Sequence, residues 1–196
     1  PQRIPSTVDF DLFQGPAAMK PLMRNELHYD WHWQWNTGNG DMGNNAAHTV
    51  DNLRHIMGDD RQPERVMSLG GRFTYCDDGE TPNVHLAYLD YGDVPVFAEI
   101  RGIVYRPGAD FVDHIRGSRQ NAIVQCEGGY MLMGPDALAY TNDGTRIRDF
   151  GGTGGVKEHM INFLKAVRNQ DPSLLDCPLK IGVQAAEVFH TAILSY

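Results

Sequence analysis

At 196 residues and 21.9 kDa, with 41% hydrophobic and 10% aromatic residues, the chain can bury one substantial core and does not require a second. A formal charge of -8, with 17 Lys and Arg against 25 Asp and Glu and no dense basic run, argues against a broad nucleic-acid footprint. No apolar run is long enough to span a bilayer, Pro1–Pro5 lacks an apolar secretion core, and Cys76, Cys126 and Cys177 form no close CxxC pair, so a reducing, cytoplasmic setting without membrane contact is expected, with an exported parent whose signal has been removed as the alternative.

The segment through about Asn39 is rich in Pro, Gly and aromatics and reads as irregular, an ordered wrap anchored by Phe10, Leu12, Phe13 and the run from Tyr29 to Trp35. Trp31, Trp33 and Trp35 alternate, as they would on an extended strand, either packing on the core or offering a sugar-stacking face. Residues 1–42 are taken as this wrapping segment and 43–196 as an α+β substrate and oligomerisation region, together one structural domain.

From about Asn44 to Met57 the positions Ala47, Val50, Leu53, Arg54 and Met57 recur at helical spacing, and Gly58 supplies a stop. Strands are expected over Arg65–Tyr75, Val84–Asp90, Val96–Tyr105, Asn121–Cys126, Tyr130–Met133 and Ala137–Thr141, with a tight antiparallel turn at Glu127-Gly128-Gly129. Val156–Asn169 carries a strong amphipathic pattern, and a last helix is expected near Pro178–Leu194. This order favours an α+β fold: a mainly antiparallel, open-faced sheet with helices on one face. The βαβαβ alternation of a Rossmann domain is missing.

The most informative stretch is Gly38-Asn39-Gly40-Asp41-Met42-Gly43 leading into His48-Thr49-Val50-Asp51. Glycines allow close backbone approach to a ligand, and three-residue spacing puts His48 and Asp51 on one helical face, a pairing suited to proton transfer. Asp41 and Asn44 stand where a helix cap and a ligand contact are both available. His48, Asp51 and His55, with His28, Asp30 and His32, would allow a partial metal cage, but the spacing does not require one, and no metal is assigned. Gly151–Gly155 reads as a hinge or helix start, because it lacks the βαβ context of a phosphate loop.

Several segments together resemble the carboxy-terminal domain of the glucose-fructose oxidoreductase / inositol dehydrogenase / rhizopine catabolism family. They are Asp9-Phe10-Asp11-Leu12-Phe13-Gln14-Gly15-Pro16-Ala17, Tyr29-Asp30-Trp31-His32-Trp33, Gly38-Asn39-Gly40-Asp41, His48-Thr49-Val50-Asp51, Gly70-Gly71-Arg72-Phe73, Asp77-Asp78-Gly79-Glu80-Thr81-Pro82 and the helix His159–Arg168. The resemblance implies a parent enzyme using NAD or NADP, bound on an amino-terminal Rossmann domain with a Glu-Lys-Pro motif. Neither that domain nor that motif is in this sequence. The chain is therefore expected to bind no cofactor itself and to have that Rossmann domain as its partner.

By the same resemblance, His48 exchanges the proton of a sugar or polyol hydroxyl; Asp51, one helical turn on, stands where it binds a substrate hydroxyl, orients His48 or only solvates a helix face. A neutral imidazole suits that task because alcohol oxidation releases a proton from oxygen. Asp41, Asn44, Trp33, Arg101 and His159 are weaker substrate-binding candidates, and Arg72, Tyr75 and Tyr105 weaker still. The family also implies a homodimer or homotetramer built through its sheets. The competing expectation is a stand-alone carbohydrate-binding or structural oligomerisation module.

Overall fold

A computed structural model of the chain describes residues 1–24, 26–58, 61–74, 76–109, 112, 114–117, 122–134, 136–151 and 155–196. Two compact units emerge. The first comprises Pro1–Ala46, Pro63–Asp113 and Phe189–Tyr196, and the second Ala47–Gln62 and His114–Val188.

In the first unit the wrapping segment is more regular than its composition suggests. Helix α1, Phe10–Gln14, begins because the Asp9 carboxylate accepts from the Leu12 amide at 3.0 Å, and it ends at Gly15, which takes φ 57°. Helix α2, Leu27–Asp30, runs into a 3-10 turn over Trp31–Trp33. The extended alternation expected of the tryptophans is thereby corrected. Helical backbone bonds such as Asp30 N–H to Glu26 O, 2.7 Å, compete successfully with the strand pattern.

Strands β1 (Arg65–Gly71), β2 (Val84–Asp90) and β3 (Pro95–Arg101) form an antiparallel sheet in that order. Ala87 and Leu89 of β2 are buried, and on the opposite face Met67, Leu69 and Phe97 are 69%, 66% and 67% exposed. Met67, Tyr88 and Phe97 are register partners across all three strands. β1 stops at Gly71, before the expected Tyr75, which lies outside the described residues. The Asn83 side chain grips Phe73 instead, accepting from its N–H and donating to its carbonyl, both at 2.8 Å, which replaces ladder pairing.

The second unit holds β4 (Ala122–Gln125), β5 (Gly129–Met133), β6 (Ala137–Thr141) and β7 (Arg146–Asp149), antiparallel in chain order. Tyr130 and Tyr140 are register partners with rings stacked at 5.0 Å, and the Arg116 guanidinium lies 3.8 Å from the Tyr130 ring centre. β7 carries no sequence signal: Arg-Ile-Arg-Asp is short, exposed and has one apolar residue. Helix α3 spans Gly40–Met57, α4 Val156–Asn169 and α5 Leu179–Ser195. The fold is α+β with antiparallel pairing, and its described strands form two sheets rather than the single one expected. Among the described residues no helix is long and apolar enough to cross a membrane.

Candidate functional site

Helix α3 starts at Gly40, four residues before the expected start, and the glycine-rich turn explains why. A Cβ on Gly38 would sit 2.5 Å from His32 Cα, and Gly40, at φ 72°, would press on Thr81 Cβ at 2.7 Å. These glycines therefore serve close packing of the chain against itself, where the sequence suggested approach to a ligand. Along α3 the buried stripe is Met42, Ala46, Val50 and Arg54, while His48, Asp51 and His55 are exposed.

His48 and Asp51, one turn apart, line an open pocket of about 320 Å3 within the second unit, together with Ala47, Asn52, Cys177, Gly182 and Ala185. Asp51 shares the pocket wall with His48; among the described residues no hydrogen bond joins them. The pocket thus offers an imidazole, a carboxylate, a carboxamide and a thiol, groups that donate to and accept from hydroxyls. Gly182 contributes no side chain and leaves that wall open. The α5 side of the pocket is tied to α3 by Arg54. Its buried guanidinium donates to Arg61 O at 3.3 Å and Gln184 O at 3.4 Å, and Gln62 Nε2 adds bonds to Gln184 O (2.9 Å) and Glu187 Oε2 (3.1 Å). Sequence reasoning missed Cys177, Asn52 and Arg54. Only the helical spacing of Arg54 with Val50 pointed inward, and nothing local marks Cys177 as a pocket residue.

Asp41 and Trp33 meet in the first unit. The Trp33 indole N–H donates to Asp41 Oδ2 at 3.3 Å, Asn45 Nδ2 donates to Oδ1 at 3.2 Å, and buried His32 places Nε2 3.9 Å from Oδ1. The Arg24 guanidinium lies 5.2 Å from the centre of the Trp33 ring, and His32 packs at 4.1 Å. Asp41 and Trp33 are accordingly engaged with their own chain, with the carboxylate in the first turn of α3, where the helix dipole favours it.

Arg72 forks onto Asp77 and also donates to Thr81 O at 3.0 Å. Burial pushes the Asp77 carboxyl up, but the Arg72 hydrogen bond, the Gly79 N–H and the charges of Arg72 and Arg24 outweigh it and hold its pKa below the ordinary value. Half-buried Arg101 ends β3, its Nε 3.7 Å from Glu99. Asn44 on α3 and His159 in the first turn of α4 are exposed. Tyr105 is 47% exposed. Among the described residues no three His, Cys, Asp or Glu side chains converge as a metal cage would require.

Residues 1–90 match the model of an oxidoreductase family's C-terminal alpha/beta domain. That match covers slightly less than half of the chain, and the family is the one the sequence resembles. Solved structures of similar fold include the yvaA protein of Bacillus subtilis, at 14% identity and TM-score 0.58 over 90% of this chain and 52% of that one. Biliverdin reductase from Synechocystis, solved with biliverdin and NADP+, matches at 15%, 0.56, 92% and 51%. The WlbA dehydrogenase of Bordetella pertussis, solved with NADH and UDP-GlcNAcA, matches at 17%, 0.52, 88% and 48%. The chain therefore spans about half the length of these structures. No curated protein matches its sequence significantly.

Among the described residues no strand–glycine turn–helix unit fits the pyrophosphate of a nicotinamide dinucleotide. A pyrophosphate seat needs a strand, a glycine turn and a helix within a parallel βαβ unit, whereas the strand pairs here are antiparallel. Of the glycine-rich Gly151–Gly155, residues 152–154 lie outside the described residues.

Proposed function

We propose that this chain is the substrate-binding, proton-transfer and assembly half of an NAD(P)-dependent sugar or polyol oxidoreductase, whose cofactor is held by an amino-terminal domain of the parent protein. The observation that carries the reading is the pocket shared by His48, Asp51 and Asn52. In it the imidazole accepts the proton of a substrate hydroxyl or returns it, while the carboxylate and carboxamide bind neighbouring hydroxyls. Cofactor chemistry lies outside this chain. The sugar nucleotide bound by the WlbA dehydrogenase supports a hydroxyl-rich substrate here, and the nicotinamide cofactors of that relative and of biliverdin reductase support such a cofactor in the parent.

The assembly role is supported by the open face of the three-stranded sheet. Met67, Leu69 and Phe97 form an apolar surface typical of faces that pair. Sedimentation of residues 1–196 should give a dimer or larger species that Leu69→Glu shifts to monomer; a wild-type monomer at every concentration would rule the role out.

The chemical reading is tested by assaying the full-length parent, with NAD(H) and NADP(H), against sugars, sugar nucleotides and cyclic polyols. Turnover on at least one hydroxylated substrate is expected. Turnover confined to substrates without a carbinol or its ketone would overturn the reading.

A further inference from the structure

Gly182 lies in the first turn of α5, and nothing in the folding of the described residues calls for a glycine there. Its φ lies outside the left-handed region, so other residues fit the backbone, and alanine would hold the helix better. Close packing does not require it either. No described residue comes within 4 Å of a Cβ built on Gly182. The other helical glycines among the described residues are accounted for, Gly40 by its φ of 72° against Thr81 and Gly43 by the Asn39 side chain that lies on it. Gly182 instead lines the pocket of His48, Asp51 and Asn52, whose lining residues all belong to the second unit.

The two helices bring unlike groups to that pocket. His48, Asp51 and Asn52 of α3 carry donors and acceptors, whereas Gly182 and Ala185, one turn apart on α5, present bare backbone and a methyl group. Asp51 brings a negative charge and, among the described residues, no Lys or Arg lines the pocket. The Arg54 guanidinium on the same helix is turned to Arg61 O and Gln184 O, so an anionic group is disfavoured there. We infer that Gly182 determines substrate specificity, which rests on the function proposed above: its bare backbone seats the C–H face of one uncharged sugar or polyol ring, while His48, Asp51 and Asn52 meet the ring's hydroxyls. Such a ring has an apolar face and a polar edge, matching the two sides. A volume of about 320 Å3 lies at the small end of ligand clefts and suits one ring.

Gly182→Ala and Gly182→Leu test this, in residues 1–196 for stability and in the full-length parent for kinetics. Gly182→Ala should raise the urea midpoint of residues 1–196, because alanine favours the helix and meets nothing. A lower midpoint would show that the chain itself fills the space and would overturn the inference. In the parent, Gly182→Leu should raise KM for a cyclic polyol or sugar by about tenfold or more while kcat changes by less than about threefold, with Gly182→Ala between the two. Dinucleotide affinity should not change. An unchanged KM in Gly182→Leu, or a loss confined to dinucleotide affinity, would overturn the inference. A parent that acts only on open-chain polyols or only on anionic sugars would also overturn it and leave the functional reading standing. A parent with no turnover on any carbinol or its ketone would overturn both.

Discussion

His85 is 1% exposed, with its Nε2 2.5 Å from the Ser68 hydroxyl and its ring 5.1 Å from that of Tyr196. Burial lowers its pKa from the ordinary 6.5, so the folded protein holds this imidazole neutral where the unfolded chain protonates it. The linkage has a definite sign: stability is constant above about pH 6.5 and falls as pH drops below it, because protons bind the unfolded state preferentially. Urea denaturation between pH 7.5 and 5.5 should therefore show a falling midpoint that His85→Leu flattens; a midpoint rising toward acid would contradict the assignment. The lowered carboxyls act in a separate window. Asp90 is held down by the Gly92 N–H and by Arg65, so its contribution is present above about pH 3.9 and is lost on acidification below it. His48, by contrast, is exposed and carries no packing load. Its replacement by Ala should change stability by less than about 0.5 kcal/mol, as for surface substitutions generally.

At the level of elements, the prediction concerns the turn and the strut around α3. Gly38→Ala must move the His32 backbone, and that overpacking should cost about 1–3 kcal/mol in urea unfolding. Arg54→Met removes a buried donor to Arg61 O and Gln184 O, the second of which keeps its bond from Gln62 Nε2, at a cost of about 1–3 kcal/mol. It should also disturb the pocket wall formed by Gly182 and Ala185. A Gly38→Ala protein as stable as the parent sequence would mean that the close approach to His32 is not enforced.

These elements also mark how far the sequence could be read. α4 and α5 were legible because their apolar residues recur at helical spacing, and β2 because Val-His-Leu-Ala-Tyr-Leu-Asp is bounded by turn residues. β7 was not legible, since its pairing comes from β6 and not from its own side chains. The tryptophan run misled because a period of two in composition does not outweigh local helical hydrogen bonds. His48 and Asp51 were legible as a pair at helical spacing. Cys177 was not, because it joins the pocket through the placement of α5, a long-range consequence of Arg54 and Gln62 that no local pattern encodes.

At the level of the whole molecule, the match of residues 1–90 to the family's carboxy-terminal domain and the antiparallel pairing of the described strands support the proposed role as one half of a reaction centre. The account divides labour: this half supplies the hydroxyl-binding pocket and the proton acceptor, and the other half supplies the redox group. The most direct test is turnover, measured side by side for residues 1–196, the full-length parent and the parent carrying His48→Ala, on a substrate that the parent accepts. The account predicts no turnover by residues 1–196 and turnover by the parent. It predicts a fall in kcat of about 10²–10⁴-fold in the variant, the range expected for loss of general acid–base catalysis, with dinucleotide affinity unchanged. Turnover by residues 1–196 alone, or a His48→Ala parent with undiminished kcat, would contradict it.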